Sequence, residues 1–385
     1  MSATRRQLLQ ALALAGGAAP LTASARSDGA APRFASVTPG KRLSFPGDHG
    51  AHPDFRIEWW YLTGWMNTSA GEAGAPIGLQ ITFFRVATGW QRDHTSRFAA
   101  QQLMFAHAAI AVPGRGRLIK AERAARIGLG MAQADETDTA LRIGNWQLIR
   151  DAADRYRARI SDSALSISID FQARRPPLLQ GEAGFSQKGP QPVQASYYYS
   201  RPWLAARGEV AWADPDQPRL TPRTVQGHAW FDHEWSSELL DAQAQGWDWV
   251  GLHFADGSAL TAFQVRRADG QALWQYARWV DAEQREIRAQ GDTAMVTFEP
   301  LRRWRSPRSG ASWPVAQRLR VGNRVIELQP MFDDQELETR GSTGITYWEG
   351  AVTVTEAGRT IGRGYLELTG YAQAMRIRMD RYRTS

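Results

Sequence analysis

Residues 165–171 alternate strictly: Leu165, Ile167, Ile169 and Phe171 are separated by Ser166, Ser168 and Asp170. A period of two is the signature of a strand with one buried face. The same pattern recurs down most of the chain. Ile77, Leu79, Ile81 and Phe83 alternate with Gly78, Gln80 and Thr82. Arg56 to Met66 is rich in aromatic and β-branched residues. Further strands are expected at 139–149, 194–199, 225–235, 247–255, 258–266, 272–281, 346–355 and 361–371. Short turns such as Ala255-Asp256-Gly257, Ala268-Asp269-Gly270 and Glu356-Ala357-Gly358 separate several of them. Helical periodicity is rare; short helices are expected only at 95–103 and 281–289. Many short strands joined by Gly/Asp turns predict an all-β chain of barrels or sandwiches.

Pro215, Pro218 and Pro222 interrupt that pattern within 214–224, which predicts a boundary between two β domains. The N-terminus reads as an export signal. Arg5-Arg6 precedes a weakly apolar run from Leu8 to Leu21, and the small residues Ala23 and Ala25 suit a cleavage site. The Arg pair resembles a twin-arginine (Tat) leader, with an ordinary Sec signal as the other reading. The expected organisation is a leader at 1–25, a linker at 26–44, a first domain at 45–222 and a second at 223–380. A periplasmic or secreted location follows, with no integral membrane segment after cleavage. The chain has 385 residues, no cysteine and a formal charge of +7. An exported chain without disulfides depends on the size of its core. Its positive charge is dispersed and no nucleic-acid motif is present, so no nucleic-acid partner is expected.

The densest chemistry lies in Gly227-His228-Ala229-Trp230-Phe231-Asp232-His233-Glu234-Trp235. As a strand, it puts His228, Trp230, Asp232 and Glu234 on one face and Ala229, Phe231, His233 and Trp235 on the other. Asp232 or Glu234 in an aromatic pocket would hold a proton near neutrality, and His228 could relay it. The competing structural reading pairs both acids with arginines or turn amides. A metal site from His228, Asp232 and His233 is disfavoured, because alternation sends His233 to the opposite face. A second cluster, His49 to Tyr61, places Arg56, Glu58 and Trp60 together, either as part of a site or as a barrel plug. A third puts Trp247, Trp249 and His253 on one face, with Gly251 leaving room between them. Tyr198 faces opposite Tyr197 and Tyr199, and His107 reads as a satisfied core histidine. There is no GxSxG elbow, Walker loop or Rossmann fingerprint, and no cofactor is called for.

Several blocks together resemble the AttH/CrtC family of two-domain lipocalin-like proteins. They are Phe45-Pro46-Gly47-Asp48-His49-Gly50, His52-Pro53-Asp54-Phe55-Arg56, Glu58-Trp59-Trp60-Tyr61, Phe105-Ala106-His107, Pro177-Leu178-Leu179-Gln180-Gly181, Tyr197-Tyr198-Tyr199-Ser200-Arg201-Pro202, Asp232-His233-Glu234-Trp235 and Tyr347-Trp348-Glu349-Gly350. The family includes carotenoid 1,2-hydratases and secreted proteins labelled hydrolases. The resemblance implies two calycin-type antiparallel barrels packed together. It implies a His-x-Trp element and a downstream acid for protonating an isolated double bond, here His228, Trp230 and Asp256. Phe254 stands where the hydratases carry a tyrosine, a departure from the carotenoid enzymes. The expected catalytic set is therefore His228, Trp230, Asp232, Glu234 and Asp256. The expected ligand-binding set is Arg56, Glu58, Trp60, Tyr61, Tyr198, Trp247, Trp249 and His253. The ligand is expected to be hydrophobic, an isoprenoid or a lipid. Three functions stand: a cofactor-free hydratase or lyase, a non-catalytic lipid carrier partnered with ABC-transporter components, and a secreted hydrolase.

Overall fold

The structure is a computed structural model that describes residues 34–68, 76–88, 96, 98–214, 217–238, 240–287 and 296–375. The expected leader lies outside the described residues. Twenty-two strands account for nearly all regular structure among them. They are β1 Ile57–Thr68, β2 Pro76–Ala87, β3 Gln102–Ala111, β4 Ile119–Arg126, β5 Ala132–Ala134, β6 Ala140–Ile143, β7 Trp146–Arg150, β8 Arg155–Ser161, β9 Leu165–Ala173, β10 Leu178–Leu179 and β11 Phe185–Gln187. Then follow β12 Ala195–Asp214, β13 Gln217–Ser236, β14 Gly246–Phe254, β15 Ala259–Arg266, β16 Ala272–Val280, β17 Val296–Arg305, β18 Ser312–Val321, β19 Arg324–Pro330, β20 Glu336–Glu338, β21 Thr346–Glu356 and β22 Arg359–Leu368.

Two antiparallel sheets result. The first runs β4-β3-β2-β1-β13-β12-β9-β8-β7-β6-β5 and curls until β4 meets β6, a nearly closed barrel. The second runs β16-β15-β14-β22-β21-β19-β18-β17 and forms a half-barrel. The alternation in the sequence sets the inward faces. Leu165, Ile167, Ile169 and Phe171 of β9 enter the first core with Trp60, Trp146, Tyr156 and Phe231. Val250, Leu252, Trp313, Leu319, Trp348 and Leu366 fill the second. Each such side chain contributes roughly 1.5–3 kcal/mol when removed from water. Both interiors are therefore packed with side chains.

A third apolar cluster lies where the sheets meet, with Tyr61 and Trp230 from the first and Trp249, Phe263, Ala351 and Tyr365 from the second. Two glycines allow the close approach. A Cβ on Gly78 would come within 2.5 Å of the Tyr365 hydroxyl, and one on Gly251 within 2.6 Å of the Trp249 ring. Polar ties reinforce the contact: Trp65 Nε1 donates to the Gly364 carbonyl at 2.9 Å, and Gln180 Nε2 to Thr261 Oγ1 at 3.0 Å.

Three expectations need correction. The Pro-rich segment is no domain joint: β13 runs through Pro218 and Pro222 and pairs with β12 as far as Gln217. Its pairing with β1 starts only at Val225, so Pro218 and Pro222 lie where one edge of the strand has no partner among the described residues. The chain changes sheets later, between Ser236 and Gly246, and the whole 227–235 stretch belongs to the first sheet. The short helices do not form among the described residues. Asp281 instead caps a turn, accepting the amides of Glu283 and Arg285, and 98–101 is a turn leading into β3. The end of the expected linker is packed: Val37 is buried, and the Thr38 amide donates to Tyr197 OH at 3.0 Å. Among the described residues no helix is long and apolar enough to cross a membrane.

Candidate functional site

A cavity of about 630 Å³ lies between the outer face of the first sheet and the facing side of the second. Strand register builds its walls. Across the first sheet, Ser200, Asp232, Tyr61, Thr82 and His107 are successive cross-strand partners. One step along, Tyr198, Glu234, Trp59, Phe84 and Phe105 form a parallel row. Opposite them, Phe263, Trp249, Glu367 and Glu349 are partners across the second sheet. Alternation thus delivers four carboxyls and several rings into one space.

Asp232 is 3% exposed. Its Oδ1 accepts from Trp230 Nε1 at 2.8 Å and from Ser200 Oγ, and its Oδ2 pairs with Tyr198 OH at 2.8 Å. Burial pushes its pKa up to about 7, although the three donors favour the carboxylate and work the other way. Glu234 pairs with the buried Lys188, Nζ to Oε1 at 3.0 Å, and accepts from Ser196 Oγ. Burial lowers the Lys188 pKa, and Glu234 opposes that. The ammonium also sits over the rings of Phe263, at 4.1 Å, and Tyr198, at 4.5 Å. Glu367 accepts from Trp247 Nε1 at 3.1 Å and keeps an open side to the cavity. Burial raises its pKa to about 7, helped by the nearby Glu234 and Asp232. Glu349 is 1% exposed, and burial followed by Glu367 holds it well above the usual carboxylate range. Its Oε2 accepts from Gln80, while its Oε1 and the neighbouring Tyr61 hydroxyl are buried without a well-formed hydrogen bond.

At one rim the loop between β20 and β21 closes over β3 and β4. His107 Nδ1 lies 2.9 Å from Tyr347 OH and its Nε2 2.8 Å from Ser342 Oγ. Ser342 Oγ donates to Glu122, whose other oxygen accepts the Gly341 amide at 3.0 Å. Lys120 Nζ donates to the Glu338 carbonyl at 2.7 Å. Burial, then Lys120, lowers His107 to about 3, so the ring is neutral. The Ser342 hydroxyl is thus held between Glu122, which takes its proton, and the His107 ring.

On the back of the same strand a second polar cluster sits inside the first barrel. Glu58 Oε1 meets His52 Nδ1 at 2.7 Å and His233 Nε2 at 2.8 Å, and Oε2 accepts from Arg85 Nε at 2.8 Å. His52, Glu58 and His233 are close enough to share a metal. Their atoms are already engaged: His52 Nε2 reaches Asp48 at 3.1 Å, and His233 Nδ1 reaches Tyr199 OH at 3.2 Å. Trp235 stacks on His52, and Trp60 on His233. Burial opposes ionisation of Glu58, but Arg85 and His52 outweigh it and hold the pKa well below the usual range.

Of the residues singled out from the sequence, Asp232, Glu234, Tyr61, Tyr198, Trp247 and Trp249 line the cavity, and Trp230 stands behind Asp232 as its donor. Glu58 borders the cavity but turns its carboxylate away, and the rest lie elsewhere. His228 shares their face but is exposed, beyond the ring of Trp230. Asp256 is an exposed turn residue whose Oδ1 accepts the Ser258 amide at 2.9 Å and the Ser258 hydroxyl at 2.6 Å. The side chains of Glu58 and Trp60 point into the first barrel. Arg56 stacks on Phe34, and His253 is bound to the Pro202 carbonyl. Sequence reasoning missed Glu349, Glu367 and Lys188 as site residues. Glu349 had a signal in the quoted Tyr347-Trp348-Glu349-Gly350 block.

Fold and site together define a class: a lipocalin-like protein of two joined barrels with an acid-lined aromatic cavity between them. The chain belongs to the AttH-like family, whose profile matches residues 36–371. A crystal structure of a candidate AttH protein from Nitrosomonas europaea is 45% identical, with a TM-score of 0.79 over 88% of this chain and 100% of that one. Kievitone hydratase from Nectria haematococca shares the fold at 14% identity, with a TM-score of 0.62 over 89% of this chain and 96% of its own. CghA, solved with Sch210972, does so at 13% identity and a TM-score of 0.52, over 83% and 89%. No curated protein sequence matches the chain.

Proposed function

We propose that the cavity binds an unsaturated small molecule with an apolar body and that Asp232 hydrates an isolated double bond in it by acid catalysis, without a cofactor. The observation that carries this reading is a carboxyl held near pKa 7 inside an aromatic cavity, with its donors already in place. Asp232 gives its proton to one alkene carbon. The charge on the other carbon develops between the rings of Trp249, Trp59 and Tyr198, whose faces favour a cation. Ser200, Trp230 and Tyr198 stabilise the carboxylate left behind, so little reorganisation accompanies the transfer. A water molecule bonds to the carbocation and returns a proton to Asp232, giving the alcohol. The likeness to a hydratase fold supports the reading through architecture alone.

The test is mass spectrometry of small molecules that copurify with the protein, before and after incubation. A ligand that gains one water with the wild type and not with Asp232→Asn supports hydration. A bound ligand that stays unchanged in both makes the protein a carrier. On the same reading, the Arg5-Arg6 leader exports an already folded, cysteine-free chain. Changing both arginines to lysine and fractionating cells tests this; undiminished export would mean the Sec route.

A further inference from the structure

The charge inventory of the cavity is unbalanced. Asp232, Glu234, Glu349 and Glu367 reach it from three strands. Lys188 meets Glu234 alone. Among the described lining residues, Arg85 turns its guanidinium away to Glu58, and Arg340 at the rim pairs with Glu338 at 2.7 Å. Among the described residues, three carboxyls therefore face the cavity with no cationic side chain within ion-pair distance of them. Two further observations point to a ligand. Glu349 Oε1 and Tyr61 OH are buried cavity atoms that engage only each other, and without a well-formed hydrogen bond, a costly condition in a folded protein. Lys188 also shows what this lining holds well: an ammonium beside a carboxylate, cradled on the faces of Phe263 and Tyr198. Glu367 repeats the arrangement without the lysine, its carboxyl next to Trp247 and across the sheet from Trp249.

We propose that the ligand of this cavity is an amphiphilic organic cation, with its protonated amine or quaternary ammonium placed at Glu367 and Glu349 and its apolar body on the rings of Trp59, Phe84 and Trp249. The inference rests on the reading of this space as the binding site and is independent of whether catalysis occurs there. In the empty protein the surplus acids are neutralised by protons, and a bound cation releases those protons as it enters. Binding of a cation therefore strengthens as pH rises through about 7, while binding of a neutral isostere does not.

Titration of intrinsic tryptophan fluorescence with three probes of equal chain length, each below its micellar concentration, tests this. The probes are decyltrimethylammonium, decanol and decyl sulfate. At about pH 8 the ammonium is expected to bind at least about tenfold more tightly than decanol, with the sulfate weakest. The preference is expected to shrink at about pH 5.5 and in Glu367→Gln. The pH arm uses the wild type alone, so the test survives a variant that fails to fold. Equal binding of ammonium and decanol at the higher pH overturns the cationic ligand and leaves the cavity as an apolar site. Failure of all three probes to bind overturns the binding-site reading as well.

Discussion

Two polar clusters lie back to back on β13, and they are built on opposite rules. His233 and Trp235 face the inside of the first barrel, where Glu58 is met by Arg85, His52 and His233. Asp232 and Glu234 face the second sheet, where only one of four carboxyls, Glu234, is paired with a lysine. Both groups are buried and aromatic-walled. The first is balanced and has the character of a structural knot, because each charge has a partner that offsets its desolvation. The second is left short of cations and borders open space. Burial of charge alone would have marked both as sites. Partner accounting separates them.

The largest expected difference is in catalysis. Asp232→Asn should abolish ligand hydration, a loss on the order of 10²–10⁴ for a general acid, while the protein stays folded; measured turnover of the copurified ligand decides this. Next comes stability. Glu58→Ala leaves the buried Arg85 uncompensated and should cost about 3–5 kcal/mol in guanidinium unfolding. Glu367→Gln at about pH 8 should leave stability unchanged or raise it, since it removes a carboxylate that lacks a cation. Equal losses for the two variants would erase the distinction between the clusters.

A smaller effect concerns pH. Asp232 and Glu367 are raised to about 7 in the folded protein. Between the unfolded value and 7 the folded state binds more protons. These groups therefore make stability fall as pH rises from about 4.5 to 7.5, with a plateau above. Glu58 has the opposite sign: its depressed pKa contributes stability above the ordinary carboxylate value, which is lost as pH falls through the folded pKa. Melting temperatures of Asp232→Asn and Glu367→Gln should show a flatter decline over that upper window than the wild type. The smallest expected change is Trp230→Phe, which deletes one donor to Asp232 and should cost about 1 kcal/mol. Its readout is an upward shift of the Asp232 titration, followed by carboxyl infrared bands.

Much of this was legible in the sequence. The period of two in Leu165–Phe171 gave the strands, and alternation along 227–235 put Trp230, Asp232 and Glu234 on one face and His233 on the other. What a single strand cannot convey is how far a cavity extends along it. His228 shares the Asp232 face yet lies beyond the ring of Trp230, in solvent. Nor can it convey what covers a polar face. Glu367 in Leu366-Glu367-Leu368 has the pattern of an ordinary solvent-facing position, and only the approach of the first sheet encloses it. The prolines of 214–224 misled for a related reason: their effect depends on whether a neighbouring strand claims the second edge.

The rim loop 340–345 grows from the second sheet but is fastened by His107 and Glu122 of the first, with Lys120 holding the end of β20 through the Glu338 carbonyl. Each sheet thus carries half of the recognition surface, and the first also carries the clasp for a segment of its neighbour. On the proposed reading the proton donor, Asp232, belongs to one half, and much of the surplus acidity, Glu349 and Glu367, to the other. A lineage could retool ligand preference by altering β14, β21 and β22 alone, leaving the proton donor untouched. Guest exchange would in turn be timed by how often the Glu122 clasp lets go.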